Sequence, residues 1–151
     1  MLIFCLFPCL SYSVSFSYFG ACSNQPLVKL DIENQKFPIS VGQLSVEVLE
    51  QNNIEYKGGS SGFSSIMGSP AGSDAIEVVS DVMMRAHGLC FSINGEAPDA
   101  MPDQILLHAN TDKIVWWVGY ATYNRGQWSD YCRPTYLIAP AQFCHNSVLS
   151  E

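Results

Sequence analysis

The chain has 151 residues, of which 48% are hydrophobic and 14% are charged. This composition suits a globular chain with an apolar core and argues against intrinsic disorder, and the length makes one domain the default. Seven Lys and Arg against fourteen Asp and Glu give a net charge of −7, and the bases are scattered along the sequence. We therefore expect no nucleic-acid partner, because binding phosphates requires a basic surface.

The N-terminal segment is unusually poor in charge. Residues 1–28 contain no Asp, Glu, Lys, Arg or His, and the first charged side chain is Lys29. The apolar, aromatic and serine-containing run over residues 1–21 predicts a secretory signal segment that is excluded from the folded domain. An uncleaved membrane anchor is one alternative, since about 20 apolar residues can span a bilayer. A buried core segment is the other.

The end of this segment carries a more specific pattern. Residues 18–25, YFGACSNQ, resemble a bacterial lipoprotein signal, in which small residues precede a cysteine that becomes lipidated. The resemblance implies cleavage before Cys22 and a membrane anchor on Cys22, where several acyl chains bind stably although one would not. It also implies a location at the periplasmic face of a bacterial outer membrane. Cleavage after Ala21 with an unmodified Cys22, giving a soluble exported or periplasmic protein, is the alternative.

The next part of the chain predicts two strands and a helix. Alternating apolar and polar residues predict a strand over residues 27–33, and a second strand over residues 36–42. Ser45 is predicted to be the N-cap of a helix of about two to three turns that ends at Asn52 and Asn53.

The remaining elements are mostly strands, predicted over residues 63–67, 75–84, 88–93 and 113–123, although residues 75–84 could also form a helix and only their alternation favours a strand. In the third of these, Leu89, Phe91 and Ile93 share one face, and Asn94-Gly95 then fits a tight hairpin turn. The order of strand, strand, helix and several strands predicts the α+β class, with one short helix on one face of a mixed sheet. An extended, cysteine-containing C-terminal tail is expected to pack on it.

Four stretches carry a family resemblance: SVEVLEQNNIEY (residues 45–56), GFSSIMG (62–68), GLCFSINGE (88–96) and DQILLHANTDKIVWW (103–117). In this order they resemble the small exported β-grasp-like domains, of unknown function, that are similar to the C-terminal β-domain of transcobalamin. The resemblance implies a β-grasp-like domain over residues 22–122, followed by the tail over residues 123–151. Cobalamin binding is not expected, because no large helical domain and no coordinating histidine carry over.

The cysteines suit an exported protein, because oxidising compartments favour disulfides. If Cys22 is lipidated, three cysteines beyond the signal segment are the disulfide candidates: Cys90, Cys132 and Cys144. All three pairings are open, with a preference for Cys132–Cys144 because it closes the shortest loop.

An aromatic-rich region, which also contains Tyr131 and Tyr136, supplies the candidate interaction residues: Trp116, Trp117, Tyr120, Tyr123 and Trp128. Adjacent Trp116 and Trp117 must point to opposite faces of a strand. One can fill the core, and the other must be covered by the tail, a partner or a ligand, since exposed aromatic clusters mark interaction surfaces.

Three patterns of catalytic or metal-binding type have simpler interpretations. Residues 58–62 match G-x-S-x-G, but that elbow needs a large α/β sheet, so a loop is favoured. A zinc site would draw on His87, Cys90, Cys144 and His145, but disulfides compete for the thiols. A calcium site would use Glu96, Asp99 and Asp103, but the D-x-D-x-D-G spacing is missing, so a solvated rim is favoured. We predict no catalytic residue, no metal and no cofactor.

These observations predict a non-enzymatic envelope lipoprotein or exported interaction module, an accessory part of a larger envelope or secretion assembly. Its partners would be an envelope protein complex and, through Cys22, the membrane. The alternative is a small-molecule or glycan-binding domain that uses the same aromatic residues.

Overall fold

The computed structural model describes residues 13–110 and 112–145. The described part is an α+β fold with one six-stranded mixed sheet, two two-stranded sheets and one α-helix. In chain order the elements are β1 (Ser13–Phe19), β2 (Val28–Glu33), β3 (Ile39–Ser40), α1 (Val41–Gln51), β4 (Tyr56–Gly59), β5 (Gly62–Ile66), β6 (Ile76–Ser80), β7 (Met83–Ile93), β8 (Leu106–Leu107), β9 (Lys113–Asn124) and β10 (Gln127–Pro134). The large sheet has the order β2-β1-β9-β7-β6, with β10 also paired to β9, while β3 pairs with β8 and β4 with β5.

Strand β1 lies inside the large sheet, which corrects the prediction that the whole of residues 1–21 is excluded from the fold. It pairs antiparallel with β2 and parallel with β9. The side chains of Val14, Phe16 and Tyr18 are at most 1% exposed. The serines between them fall at every second position, so the segment has the alternation of a strand with one buried face. Residues 1–12, the rest of the predicted signal segment, lie outside the described residues.

Strand β9 is the centre of the sheet, and one of its edges is shared by two strands. On that edge, β1 pairs with residues 113–117 and β10 pairs antiparallel with residues 119–124. On the other edge, β7 pairs with β9 along residues 114–124. The predicted tail boundary at Tyr123 therefore falls within β9, and the first part of the tail is a strand of the sheet.

Helix α1 begins five residues earlier than predicted. Its N-cap is Ser40, whose Oγ accepts a hydrogen bond of 3.1 Å from the Gln43 backbone N–H. The predicted cap, Ser45, lies inside the helix and is fully buried; its hydroxyl donates to the Val41 carbonyl at 2.7 Å. Asn52 is the C-cap, so the predicted end of the helix is confirmed.

The predicted strand and turn around Asn94 are confirmed. β7 extends to Ile93, and the backbones of Ile93 and Glu96 exchange two hydrogen bonds of 2.9 and 3.0 Å across the turn. Asn94 and Gly95 have φ values of 53° and 86°, as a two-residue hairpin turn requires. Leu89, Phe91 and Ile93 pack against the core, and α1 covers the same face of the sheet.

Candidate functional site

The disulfide Cys90–Cys132 joins β7 to β10 across the intervening strand β9. The two half-cystines meet above Gly119 of β9, where an added Cβ would lie 2.9 Å from the Cys90 Sγ and 3.1 Å from the Cys132 Cα. β10 shows a register irregularity between Ser129 and Arg133, and Cys132 lies within that segment. The missing side chain at Gly119 therefore makes room for the bridge.

The second disulfide, Cys22–Cys144, fixes the tail to the loop that follows β1. The preferred pairing Cys132–Cys144 is therefore not the one observed, although all three predicted cysteines are disulfide-bonded. The reason is spatial: Cys132 lies beside Cys90 over β9, whereas Cys144 lies at the far end of the tail beside Cys22. In this structure the Cys22 sulfur, which the lipoprotein resemblance assigns to a lipid, forms a disulfide.

Two disulfides indicate an oxidising, exported environment, because reducing compartments keep thiols free. Within residues 13–110 and 112–145, no helix has both the length and the apolar character needed to cross a bilayer.

Four apolar side chains form a row across four neighbouring strands, on the face of the sheet opposite α1. Val78 of β6 lies opposite Met84 of β7, Met84 lies opposite Tyr123 of β9, and Tyr123 lies opposite Trp128 of β10. Val78 is 76% exposed and Trp128 is 42% exposed, and the rings of Tyr123 and Trp128 are 5.3 Å apart.

Beside this row is a shallow groove of about 210 Å³, whose floor contains the small residues Ala86, Gly88, Gly119 and Ala121. Tyr131, which is 72% exposed, also lines the groove. Together, five residues form what we call the outer apolar surface: Val78, Met84, Tyr123, Trp128 and Tyr131.

The structure divides the five predicted aromatic interaction residues between two faces. Tyr123 and Trp128 belong to the outer apolar surface. Trp116 is 2% exposed in the core, and its indole N–H donates to the Ser45 Oγ at 3.0 Å. Trp117 donates its indole N–H to the Cys132 carbonyl at 2.8 Å, beside β10, and Tyr120 is buried on the inner face.

Val78 and Met84 were not predicted as interaction residues, whereas Tyr131 belongs to the aromatic-rich region recognised in the sequence. The alternation in residues 75–84 was a usable signal, because it predicts that Ile76 and Val78 share one face of a strand. The residues that lie next to Val78 on the outer face depend on how β6, β7 and β9 pair. A single sequence does not specify that pairing.

A buried polar cluster on the inner face joins the tail to the sheet. The His87 Nδ1 lies 2.9 Å from the Thr135 Oγ1, and its Nε2 lies 3.2 Å from a carboxylate oxygen of Glu77. Arg85 makes an ion pair of 3.2 Å with the same carboxylate, and its guanidinium lies 5.6 Å from the centre of the Tyr120 ring.

The chemistry of this cluster is set by its burial. Burial lowers the pKa of His87, and the Glu77 carboxylate opposes part of that shift. A hydroxyl, an imidazole and a carboxylate in contact can activate a nucleophile. Here Thr135 and the His87 side chain are both 0% exposed, so a substrate does not reach the hydroxyl. The cluster therefore acts as an internal connection between β6, β7 and the tail.

A cleft of about 690 Å³ opens at the Cys22–Cys144 end of the molecule. Its walls come from the end of β1, from the loop after β5 and from the tail, where Gln142 and Phe143 line it. Lys57 and Asp74 are the charged residues that line it.

The remaining patterns lie in simple local structures. Residues 58–62 belong to the β4–β5 hairpin, a strand–turn–strand unit, whereas a nucleophile elbow leads from a strand into a helix. Glu96, Asp99 and Asp103 are exposed. No group of three or more potential metal-ligating side chains is found in the described residues.

No family model matches this chain, and neither the curated proteins nor the solved structures searched contain a significant match.

Proposed function

We propose that this chain is an exported, non-enzymatic interaction module that binds a protein of the cell envelope through the outer apolar surface. The observation that carries the proposal is the row of Val78, Met84, Tyr123 and Trp128 across four strands. Contiguous exposed apolar patches on soluble domains mark sites of association, and aromatic residues and methionine are enriched in interface cores.

The extent of the surface favours a protein over a small ligand. Neighbouring strands are about 4.8 Å apart, so a row across four strands is about 14 Å wide on a continuous face. A cleft of about 450 Å³, lined in part by Val78, Met84 and Tyr123, occupies one end of this face, whereas Trp128 and Tyr131 lie outside it. A glycan or small-molecule site on the aromatic residues is the alternative.

The β-grasp-like family assignment is part of the proposal. It is supported by the mixed sheet with α1 packed on one face, and by the Asn94-Gly95 turn that ends the strand of the GLCFSINGE motif. A solved structure of a family member with a different strand order around its central strand would contradict the assignment.

The attachment of the protein in the envelope depends on Cys22. A lipid thioether and the Cys22–Cys144 disulfide exclude each other, because both use the same sulfur atom. We propose the disulfide-bonded form, in the periplasm or its equivalent, because that form accounts for Cys144 as well. Intact-mass analysis of protein from native membranes tests this, since a lipidated Cys22 adds the mass of its acyl chains and leaves Cys144 with a free thiol.

The binding surface is tested with one pair of matched variants. Val78→Lys places a charge in the outer apolar surface, while Leu106→Lys makes the same change at a 51% exposed residue of β8. Both proteins are crosslinked in native envelope fractions, and the recovered partner is quantified by mass spectrometry. We expect Val78→Lys to weaken capture about thirtyfold, as the loss of a contact worth about 2 kcal/mol would do. Leu106→Lys should capture as well as the wild type.

Equal capture by both variants and the wild type would refute the proposed surface. A glycan array provides the other arm: binding that Trp128→Ala abolishes would favour the glycan alternative. Sedimentation of the purified protein shows whether the partner is a second copy of this chain, which would contradict docking on a different envelope protein.

A further inference from the structure

The tail segment of residues 140–144, here called the strap, is held by three different contacts. Cys144 forms the disulfide with Cys22. The Gln142 side-chain amide donates to the backbone carbonyls of Asp74 and Ile76, at 2.9 and 3.1 Å. The Phe143 ring meets the His87 ring edge-on, with 4.7 Å between their centres.

The contact made by Gln142 covers part of an exposed sheet edge. β6 is the last strand of the large sheet in the described residues, and Ile76 is its first residue. Unpaired backbone groups at an edge are a template for a further strand, so proteins cover or interrupt them. Here a side chain of the strap takes the place of a neighbouring strand at the start of β6.

The strap also forms one wall of the cleft described above. Gln142, Phe143 and Cys22 line this cleft together with Tyr18 and the loop that follows β5. Movement of the strap would therefore open the cleft and the β6 edge at the same time.

The two disulfides differ in the non-covalent contacts that still hold the joined segments after each bond is broken. β7 and β10, which Cys90–Cys132 joins, are both paired with β9 by backbone hydrogen bonds. The strap lies in no strand, and the Phe143 and Cys144 N–H groups donate within the strap, to the Pro140 carbonyl. Without Cys22–Cys144 the strap has no covalent link to the sheet, and it is held by the hydrogen bonds of Gln142 and by the packing of Pro140 and Phe143.

We propose that Cys22–Cys144 is a redox latch, whose reduction by a small or protein thiol releases the strap from the β6 edge and the cleft. The thiolate of the reductant attacks the sulfur of Cys22, an exposed residue, forms a mixed disulfide and releases the Cys144 thiolate, which takes up a proton. A second thiol of the reductant then resolves the mixed disulfide. The two protein sulfurs gain two electrons, and the reductant becomes a disulfide. This inference concerns the fold alone and does not depend on the proposed binding surface.

Hydrogen exchange read by mass spectrometry tests the latch in three forms of the full chain. These are the wild type with both disulfides, Cys22→Ser with Cys144→Ser, and the matched control Cys90→Ser with Cys132→Ser. In the first pair of substitutions we expect exchange to be about tenfold faster at residues 140–144 and 76–80, because local opening sets exchange there. Residues 84–93 and 113–124 should keep their protection. In the control pair, the strap and β6 should exchange as in the wild type.

A further variant separates the edge contact from the disulfide. Gln142→Ala keeps both disulfides, so we expect faster exchange at residues 76–80 alone. Unchanged exchange of β6 in Cys22→Ser with Cys144→Ser would overturn the proposal. Loss of protection throughout the sheet in that variant would also overturn it, because the disulfide would then hold the whole fold.

Discussion

Gly119 and Gly88 form a natural matched pair for testing how the Cys90–Cys132 disulfide fits the sheet. They lie opposite each other on β9 and β7, so both would direct a side chain to the outer face. A Cβ at Gly119 would lie 2.9 Å from the Cys90 Sγ and 3.1 Å from both the Cys132 Cα and the Trp117 Nε1. A Cβ at Gly88 would meet no atom within 4 Å.

The expected effects of an added methyl group have opposite signs. At Gly119 the neighbours include a backbone atom that cannot move without shifting β10, so Gly119→Ala should destabilise the fold by about 1–3 kcal/mol, as overpacking does. At Gly88 no contact is lost, so Gly88→Ala should stabilise the fold by about 0.4–1 kcal/mol through the reduced entropy of the unfolded chain.

Urea unfolding with both disulfides intact measures the difference. With a slope of about 1–3 kcal/mol per molar urea, Gly119→Ala should lower the midpoint by about 1 M. In a background of Cys90→Ala with Cys132→Ala, the cost of Gly119→Ala should fall, because the nearest atom has gone, but it should remain above zero because Trp117 is still present. Equal midpoints for the two alanine variants would refute the argument that Gly119 makes room for the bridge.

Three further substitutions test contacts in the core, the buried polar cluster and the helix. Ser45→Ala should cost about 1–3 kcal/mol in urea unfolding, because the buried Trp116 indole N–H loses its acceptor, and adding Trp116→Phe should remove most of that penalty. Because burial lowers the pKa of His87 in the folded state, its contribution to stability is complete above about pH 6.5 and is lost as the pH falls below that value. The unfolding midpoint should therefore drop more between pH 7.5 and 5.5 in the wild type than in His87→Gln. Equal drops would contradict a lowered pKa of His87 in the folded state. Ser40→Ala should cost about 1 kcal/mol by removing the acceptor for the Gln43 N–H, and an unchanged thermal midpoint would show that this cap is not needed.

Local sequence patterns were sufficient to predict most strands of the large sheet. The alternation over residues 27–33 and 88–93 corresponds to β2 and to part of β7, and the run over residues 113–123 corresponds to β9. The Asn94-Gly95 turn followed from the backbone freedom of its two residues. These features depend on neighbours in sequence, and a single sequence contains that information.

The N-terminal strand was misassigned because two patterns overlap in it. Residues 13–19 alternate as a half-buried strand does, but their lack of charge also matches an export segment. The short helix was placed five residues late for a similar reason. A serine such as Ser45 is a typical N-cap residue. In the structure, however, Ser40 is the N-cap, and the Ser45 hydroxyl accepts a hydrogen bond from the Trp116 indole N–H.

The outer apolar surface could not be predicted from the sequence, because it depends on how the strands pair. The row from Val78 to Trp128 exists only when four strands are in register. The cysteine pairing likewise follows from β10 lying next to β9, which brings Cys132 to Cys90. Loop length along the sequence, on which the preference for Cys132–Cys144 was based, carries no information about that proximity.

The parallel pairing of β1 with β9 has a consequence for how the protein is made. Residues 20–112 separate the two strands, so β1 acquires this neighbour only after most of the domain has been synthesised or has crossed a membrane. Contacts between such distant segments form slowly. Until then, the uncharged, aromatic segment of residues 13–19 has one unpaired edge, in a form prone to aggregation. During export and folding this segment is the place where a chaperone that binds apolar strands would be needed first.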